Sequence, residues 1–211
     1  MTLVDWSPVW ISLATSATAT LFTLVAGLAA AAWRARRTGP AMAVVDGIFL
    51  LPLVLPPTVV GFFLLLLFGR NGPLGRILLH FGATIVFSWP ATVIAAAVVA
   101  FPLMYLTARA ALEQVDPQFL QAARTLGASE WRVFREVALP LAWPGVLAGT
   151  ILSFARALGI PIAIYFAVEA DDIRTAMVWC LIDVVISLAL LAGLYYWTNV
   201  QSPGRARWAR R

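Results

Sequence analysis

The stretch DPQFLQAARTLGASEWRVFREVALP, residues 116–140, decides how the rest of the chain is interpreted. Asp116 followed by Pro117 is typical of a helix N-cap with proline at the first helical position, and Gly127 is typical of a helix stop. Ser129 can cap a second short helix after that glycine. The two predicted helices are 117–126 and 130–137.

Two short helices around a glycine also occur in DNA-binding proteins, but the charge of this segment argues against that function. Four arginines and four acidic residues lie between Arg109 and Trp143, so the segment has no net charge. A surface that binds phosphate groups is expected to be basic. We therefore expect no nucleic-acid partner.

The sequence around this segment is that of a membrane protein. Of the 211 residues, 62% are hydrophobic and 12% are charged, against about 25% charged residues in soluble domains. Three runs of 28, 23 and 32 residues contain no charged residue: 6–33, 47–69 and 77–108. Because about 20 apolar residues span a bilayer, a soluble core does not explain three such runs.

The apolar segments predict an all-α, polytopic membrane protein with about five transmembrane helices and a cytoplasmic helical hairpin. We expect one transmembrane domain over residues 1–204 and a basic cytoplasmic tail over 205–211. The first run lacks the basic start of a signal peptide and is too long for the apolar h-region of one, so it is predicted to be an uncleaved span. The predicted spans are 8–33, 44–68, 84–108, 144–168 and 176–197, and the hairpin lies within 109–143.

The arginines favour an N-terminus outside and a C-terminus in the cytoplasm. Eleven arginines follow the first, third and fifth predicted spans, whereas three lie in the loops on the opposite side. Basic residues accumulate in cytoplasmic loops. This orientation places the predicted helical hairpin in the cytoplasm.

Missing and rare residue types exclude several kinds of site. All 15 basic residues are arginine, so the chain has neither a Walker A lysine nor a Schiff-base lysine, and any ATP must be hydrolysed by a partner. With one cysteine, Cys180, and one histidine, His80, we expect neither a disulfide framework nor a Cys/His zinc site. We therefore expect no catalytic residue, metal or cofactor.

The hairpin resembles the EAA loop of ABC-importer permeases. QAA (121–123), Gly127 and VALP (137–140) follow one another at the spacing of that family's Glu-Ala-Ala, Gly and Ile-x-Leu-Pro pattern. The resemblance implies a type I ABC importer permease in which residues 121–129 form the coupling helix that docks into the ATPase subunit. The residues assigned to ATPase coupling in this way are Gln121, Ala122, Ala123, Arg124, Leu126, Gly127 and Ala128.

Four further segments resemble the molybdate branch of these permeases: LPLVLPPTVVG (51–61), LFGRNGPLG (67–75), FPLM (101–104) and SFARALG (153–159). This resemblance implies a homodimer, joined to two ABC ATPase subunits, that receives molybdate from a periplasmic molybdate-binding protein. It would carry molybdate across the bacterial inner membrane by alternating access. Sulfate, thiosulfate and tungstate are alternative oxyanions, because sulfate permeases are related to this branch.

Prolines and polar residues within the spans are candidates for the translocation pathway. Prolines in and beside the second and third spans predict either tolerated kinks or broken helices that line a pathway. Hydroxyl groups are expected to meet the oxyanion weakly, although each can also bond its own helix backbone. The candidates are Pro56, Pro57, Thr58, Thr92, Ser153 and Arg156.

Two patterns concern packing inside the membrane. Arg156 and Asp183 have similar predicted depths, so we expect a buried ion pair, with Arg156 facing the anion pathway as the alternative. Gly145 and Gly149 form a GxxxG pattern, which predicts a close-packing helix face.

The sequence departs from the molybdate branch after Gly159. Such permeases continue with Glu-Phe-Gly, the outer half of the fourth span and a loop, whereas Ile160 follows directly here. We therefore expect that a segment on the order of 15 to 20 residues, enough for part of a span and a loop, is missing here. A shortened permease that docks its ATPase without transporting is therefore an alternative. A membrane enzyme is disfavoured, because no partnered nucleophile is evident near His80.

Overall fold

The computed structural model describes residues 7–35, 37, 39–82, 85–86, 88–158 and six single positions between 177 and 193. Every regular element in this part of the chain is helical, which confirms the predicted all-α fold. The helices are α1 Ser7–Ala35, α2 Pro40–Val54, α3 Pro57–Phe68, α4 Pro73–His80, α5 Trp89–Glu113, α6 Pro117–Thr125, α7 Glu130–Val133 and α8 Leu139–Ala157, with a π-helical segment, Phe134–Ala138, between the last two.

Three helices in the described residues are long and apolar enough to cross a membrane: Val9–Ala35, Trp89–Glu113 and Glu130–Ala157. A fourth candidate is the pair α2 and α3, which are bent by 112° relative to each other. The predicted fifth span, 176–197, lies largely outside the described residues, so the count of five stays a prediction.

The bend between α2 and α3 has a local cause in two consecutive prolines. Neither Pro56 nor Pro57 has a backbone N–H to donate, and a residue before a proline is pushed into an extended conformation. Leu55 has φ −73° and ψ 142°, and Pro56 has φ −54° and ψ 141°, so both are extended. The predicted second span, 44–68, is therefore a broken helix here, whereas α2 continues through Pro52.

α1 and α5 lie side by side and run in the same direction. At one end the Trp89 indole N–H donates to Thr15 Oγ1 at 3.0 Å. Further along, Gly27 packs so closely on Met104 that an added Cβ would lie 2.8 Å from its Cγ. Residue 15 contacts residue 89 and residue 27 contacts residue 104, so the residue numbers rise in the same direction along both helices. The C-terminal ends of α1 and α5 therefore lie on the same side of the bundle.

α8 packs against α5 in the opposite direction, through the predicted GxxxG face. A Cβ at Gly145 would lie 2.4 Å from the Ala111 Cβ, and one at Gly149 would lie 2.0 Å from Thr107 Oγ1. The GxxxG prediction is confirmed. Buried side chains from α1, α5 and α8 form the core on this interface; they include Ala31, Met104, Tyr105, Ala108 and Val146.

Candidate coupling hairpin and translocation site

Residues 116–138, which we call the coupling hairpin after the role that the resemblance implies, begin with a capped helix. The Asp116 carboxylate accepts a hydrogen bond of 2.8 Å from the Gln118 backbone N–H, and Pro117 occupies the first helical position. A capping carboxylate satisfies one of the unpaired N–H groups at a helix start. The start of α6 is therefore where the sequence predicts it.

α6 ends in a turn that requires glycine. Gly127 has φ +82°, a region that residues with a Cβ adopt with difficulty. Its N–H donates to the Arg124 carbonyl at 2.9 Å, and the Ala128 N–H donates to the Ala123 carbonyl at 3.1 Å. These two bonds form a Schellman motif, which closes the last turn of the helix. The backbone geometry thus explains the glycine of the motif and sets the chain direction after α6.

An ion pair joins the two arms of the hairpin across this turn. Arg124 Nε and Nη2 lie 2.6 and 3.2 Å from the two carboxylate oxygens of Glu130. The hydrogen bond to Glu130 raises the pKa of the Arg124 guanidinium above its ordinary value. Ser129 caps the second arm by accepting from the Arg132 N–H at 3.4 Å. The two arms of the hairpin are thus held together by the ion pair between Arg124 and Glu130 as well as by the backbone bonds of the turn.

A π-helical segment connects the second arm to α8. The Leu139 N–H donates to the Phe134 carbonyl, five residues earlier, instead of four as in an α-helix. Val133 and Ala138 are buried at its two ends. The predicted helix 130–137 is therefore α-helical only over Glu130–Val133, but it runs without a break into the predicted fourth span.

The hairpin carries large apolar side chains on its surface. Leu126 is 88% exposed, Trp131 is 67% exposed and Phe119 is 57% exposed. Gln121 and Ala122 are also exposed, whereas Ala123 and Ala128 are half-buried. Large apolar side chains that are exposed in a segment rich in charged residues are typical of a protein-binding surface.

The pathway candidates fall into two groups in the described residues. Pro56, Pro57 and Thr58 are exposed at the bend between α2 and α3. Ser153 is fully buried, and its hydroxyl donates to the Ala100 carbonyl of α5 at 3.4 Å. Thr92 donates to the Trp89 carbonyl of its own helix. Ser153 therefore ties two helices together here, and its contribution to a pathway stays a prediction.

The predicted ion pair of Arg156 with Asp183 is only half within the described residues. Arg156 lies at the end of α8 and is exposed. Asp183 lies outside the described residues. In the part of the chain that is described, no cluster of three or more His, Cys, Asp or Glu could hold a metal ion.

A charged junction that the sequence motifs do not predict lies around Asp46 of α2. Arg34 Nε of α1 is 3.0 Å from Asp46 Oδ1, and Arg109 Nη1 of α5 is 2.7 Å from Oδ2. The Tyr105 hydroxyl donates to the same carboxylate. The Asp46 and Arg34 side chains are 16% and 14% exposed. The sequence does contain one signal for this junction, which is the acidic residue Asp46 inside the predicted span 44–68. Ionisable residues inside a span mark functional positions by default.

Comparison with known proteins identifies the family. Residues 23–199 match the family described as "Binding-protein-dependent transport system inner membrane component". The chain belongs to this family. Its members are non-catalytic, multi-pass inner-membrane subunits of ABC importers. ATP hydrolysis therefore belongs to a partner ATPase, and a substrate-binding protein is the second partner.

Curated relatives cover most of this permease. The molybdenum transport system permease protein ModB of Escherichia coli (strain K12) is 51% identical over 156 residues, 74% of this chain and 68% of ModB. The putative molybdenum transport system permease protein YvgM of Bacillus subtilis (strain 168) is 39% identical over 205 residues, 88% of this chain and 90% of YvgM. The sulfate transport system permease protein CysT of Salmonella typhimurium is 36% identical over 141 residues, 67% of this chain and 51% of CysT.

The alignment with the B. subtilis relative includes positions that this permease lacks. It extends over 205 positions, yet 88% of this permease's 211 residues is about 186, which leaves about 19 positions without a counterpart here. That these positions follow Gly159 stays a prediction.

Two solved structures share the fold. The MetNI methionine ABC transporter in inward-facing conformations is matched with a TM-score of 0.65 at 17% identity, over 90% of this permease and 94% of that chain. An amino acid ABC transporter with histidines is matched with a TM-score of 0.59 at 24% identity, over 88% of each chain. Both likenesses concern the fold alone.

Proposed function

We propose that this permease carries molybdate, as a homodimer that works with two ATPase subunits and a periplasmic molybdate-binding protein. The observation that carries this proposal is the 51% identity with a molybdenum transport permease over 74% of the chain. Because tetrahedral oxyanions of equal charge differ little in hydrogen bonding, overall resemblance supports the choice among them better than any single residue here.

The coupling hairpin is proposed to receive the ATPase. Leu126 lies at the end of α6, beside the exposed Gln121 and Ala122, where it would enter a groove on the partner. The small side chain of Ala122 allows close approach, and the Schellman turn at Gly127 fixes the direction in which Leu126 points. ATP-driven closure of the ATPase would then displace α6, and through it α5.

The orientation is proposed to be N-terminus outside and C-terminus in the cytoplasm. Since α1 and α5 run in the same direction, Arg34 and Arg109 lie on one side of the bundle together with the coupling hairpin. An ATPase is a cytoplasmic partner, and basic residues favour that side. Both considerations support the same assignment of sides.

The pathway is proposed to pass the bend between α2 and α3. Since Pro56 and Pro57 have no N–H, the carbonyls of Pro52 and Leu53 lack the donor that an α-helix supplies four residues later. Irregular backbone at membrane depth is tolerated where it faces protein or a water-filled cavity. Thr58 offers a hydroxyl beside the bend. A few such donors would bind an oxyanion weakly enough to release it.

Uptake of labelled molybdate tests the proposal. The permease, its ATPase and its binding protein are reconstituted into vesicles and assayed with and without ATP, and with an excess of sulfate. ATP-dependent uptake that resists sulfate is the expected result. A Leu126→Asp permease serves as the control, because it should keep the fold and lose uptake.

Sulfate is the second candidate substrate, since a sulfate permease is 36% identical over 67% of the chain. Uptake that sulfate abolishes would move the assignment to sulfate. Binding-protein-stimulated ATP hydrolysis without any uptake would indicate a shortened permease that docks its ATPase and does not transport. Each result contradicts the molybdate proposal in a different way.

A further inference from the structure

Asp46 lies where three helices of the bundle meet. Its carboxylate is bound by Arg34 from α1 and by Arg109 from α5, and it also accepts the Tyr105 hydroxyl hydrogen bond from α5. All three donors come from outside α2. One carboxylate therefore ties α2 to both of its neighbours.

The Asp46 junction is close to the coupling hairpin along α5. Arg109 precedes Pro117, the first residue of α6, by eight residues. Eight residues correspond to about 12 Å of helix, or about two turns. A displacement of the coupling hairpin therefore reaches Asp46 through a short and mostly helical connection.

The same junction is connected to the bend through α2. Phe49, nearly one turn after Asp46, packs edge to face on Tyr105 and Phe101, with centroid distances of 5.1 and 5.5 Å. The charged and aromatic contacts both lie in the first two thirds of α2, whereas the helix breaks after Val54. A shift of α5 would therefore act on α2 ahead of the bend.

We propose that Asp46 is a positioning residue for transport, which transmits the movement of the coupling hairpin from α5 to α2 and to the bend at Pro56. A neutral side chain there would leave Arg34 and Arg109 close together without the carboxylate that lies between them, which disfavours the present arrangement of the helices. ATPase docking would be unaffected, because the hairpin supplies it. The inference rests on the proposed function only in assuming that the hairpin receives the ATPase.

The matched pair of variants is Asp46→Asn and Glu113→Gln. Glu113 binds the same arginine, with 2.7 Å between Arg109 Nε and Glu113 Oε1, but it does so one turn along the same helix and is 49% exposed. Both variants remove one negative charge next to Arg109. Only the first removes a contact between helices.

The measurement is the number of molybdate ions taken up per ATP hydrolysed, in vesicles that hold the complete complex. We expect Asp46→Asn to keep ATPase binding and ATP hydrolysis while the transport ratio falls about tenfold, within the usual range of coupling between sites. Glu113→Gln should keep the ratio of the unaltered permease. Equal ratios for the two variants, or a parallel fall of uptake and hydrolysis in Asp46→Asn, would overturn the inference.

A second variant covers the case in which Asp46→Asn does not assemble. Tyr105→Phe removes one hydrogen bond to Asp46 and keeps the ring that contacts Phe49 and Phe101. It should lower the transport ratio by less than Asp46→Asn and keep ATP hydrolysis. An unchanged ratio in Tyr105→Phe, with Asp46→Asn unable to assemble, would assign Asp46 a purely structural role.

A readout that needs no substrate separates this inference from the proposed function. A cysteine replaces Val54, which is 81% exposed at the end of α2, in a chain with Cys180→Ser. We expect ATP to change its maleimide labelling rate in the unaltered and Glu113→Gln backgrounds but not with Asp46→Asn. If labelling responds in this way and no molybdate enters, the substrate proposal fails and the inference stands; a response to ATP in all three backgrounds overturns it.

Discussion

The α5–α8 interface and the coupling hairpin show two ways in which this permease uses small residues. Between α5 and α8, Gly145 and Gly149 let two long helices approach until no space remains for a Cβ. In the hairpin, Gly127 has open space around it and is required by its backbone conformation. Gly145 and Gly149 thus allow two helices of the chain to pack closely, whereas Gly127 allows the turn that exposes the end of α6.

The two regions also differ in what surrounds their apolar side chains. On α5 and α8 the inward residues are buried, and outward apolar residues are expected to face lipid or another subunit. The hairpin exposes Leu126 and Trp131 in a segment with six charged residues, which are Asp116, Arg124, Glu130, Arg132, Arg135 and Glu136. Exposure alone therefore does not identify a binding surface, whereas exposure among charged residues favours one. Four substitutions separate the roles of the two regions.

Gly149→Leu should disrupt the α5–α8 interface. The new side chain would start 2.0 Å from Thr107 Oγ1 and 3.1 Å from Met104 Sδ, and overpacking of this kind costs about 3 kcal/mol or more where backbone must move. We expect little monodisperse protein and a lower thermal midpoint. Gly47→Leu is the control, because a Cβ added at Gly47 would meet no atom within 4 Å. Equal thermal midpoints for the two variants would contradict close packing as the role of Gly149.

Leu126→Asp should weaken ATPase binding by tenfold or more and leave the permease fold intact. A charge at an apolar hot spot of an interface costs about 2 kcal/mol or more of binding, while a side chain that is 88% exposed adds little to folding. Affinity for the ATPase and the thermal midpoint are measured together. Leu126→Met keeps an apolar side chain and should bind as before. Normal affinity with Leu126→Asp would place the docking surface elsewhere.

Asp116→Ala should loosen the start of α6 without affecting the spans. The lost cap at the Gln118 N–H is worth about 1 kcal/mol of helix stability. Faster amide hydrogen exchange at Gln118 and the next residues is the expected result. Asp116→Asn keeps an acceptor and serves as the control. Unchanged exchange in Asp116→Ala would mean that contacts other than the cap hold the first turn.

Arg124→Gln should have the smallest effect of the four. Its ion pair with Glu130 is exposed, with side chains 47% and 54% accessible, and exposed pairs contribute little and are screened by salt. We expect ATPase affinity to fall less than about threefold at low ionic strength and to be normal at high ionic strength. A large loss that persists at high salt would instead indicate that Arg124 contacts the ATPase directly.

The sequence predicts the hairpin well because its signals are local. Caps, a proline at a first helical position and a glycine with positive φ act within a few residues, so Asp116, Gly127 and Ser129 lie where they are expected. The observed α6 ends at Thr125, one residue before the predicted end, because Leu126 already belongs to the Schellman turn. The GxxxG pattern of α8 is equally local, although its partner α5 is not evident from the pattern.

What the sequence predicts less well depends on distant contacts. The predicted third span, 84–108, is shifted by about five residues toward the N-terminus, because the observed helix α5 starts at Trp89 and ends at Glu113. The helix α5 continues beyond residue 108 because Arg109 pairs with Asp46 and Glu113 and so remains within the helix. The Asp46 junction joins residues 12 and 63 positions apart in the sequence, and no local pattern connects them.

The π-helical segment Phe134–Ala138 has a consequence for the exchange of parts between related permeases. A π turn absorbs one residue more than an α turn, so the helix on either side keeps the facing that it would have without that residue. The same extra residue in a regular α-helix would rotate the hairpin by about 100° around the axis of α8. Removing one residue at the exposed Arg135 or Glu136 should therefore restore α-helical geometry without turning the hairpin and without loss of a buried side chain. A chimera that takes its hairpin from one permease and its spans from another should be joined before Phe134, with the π turn and α8 inherited as one piece. A chimera that kept the extra residue in a regular α-helix would present a different face of the hairpin to the same ATPase.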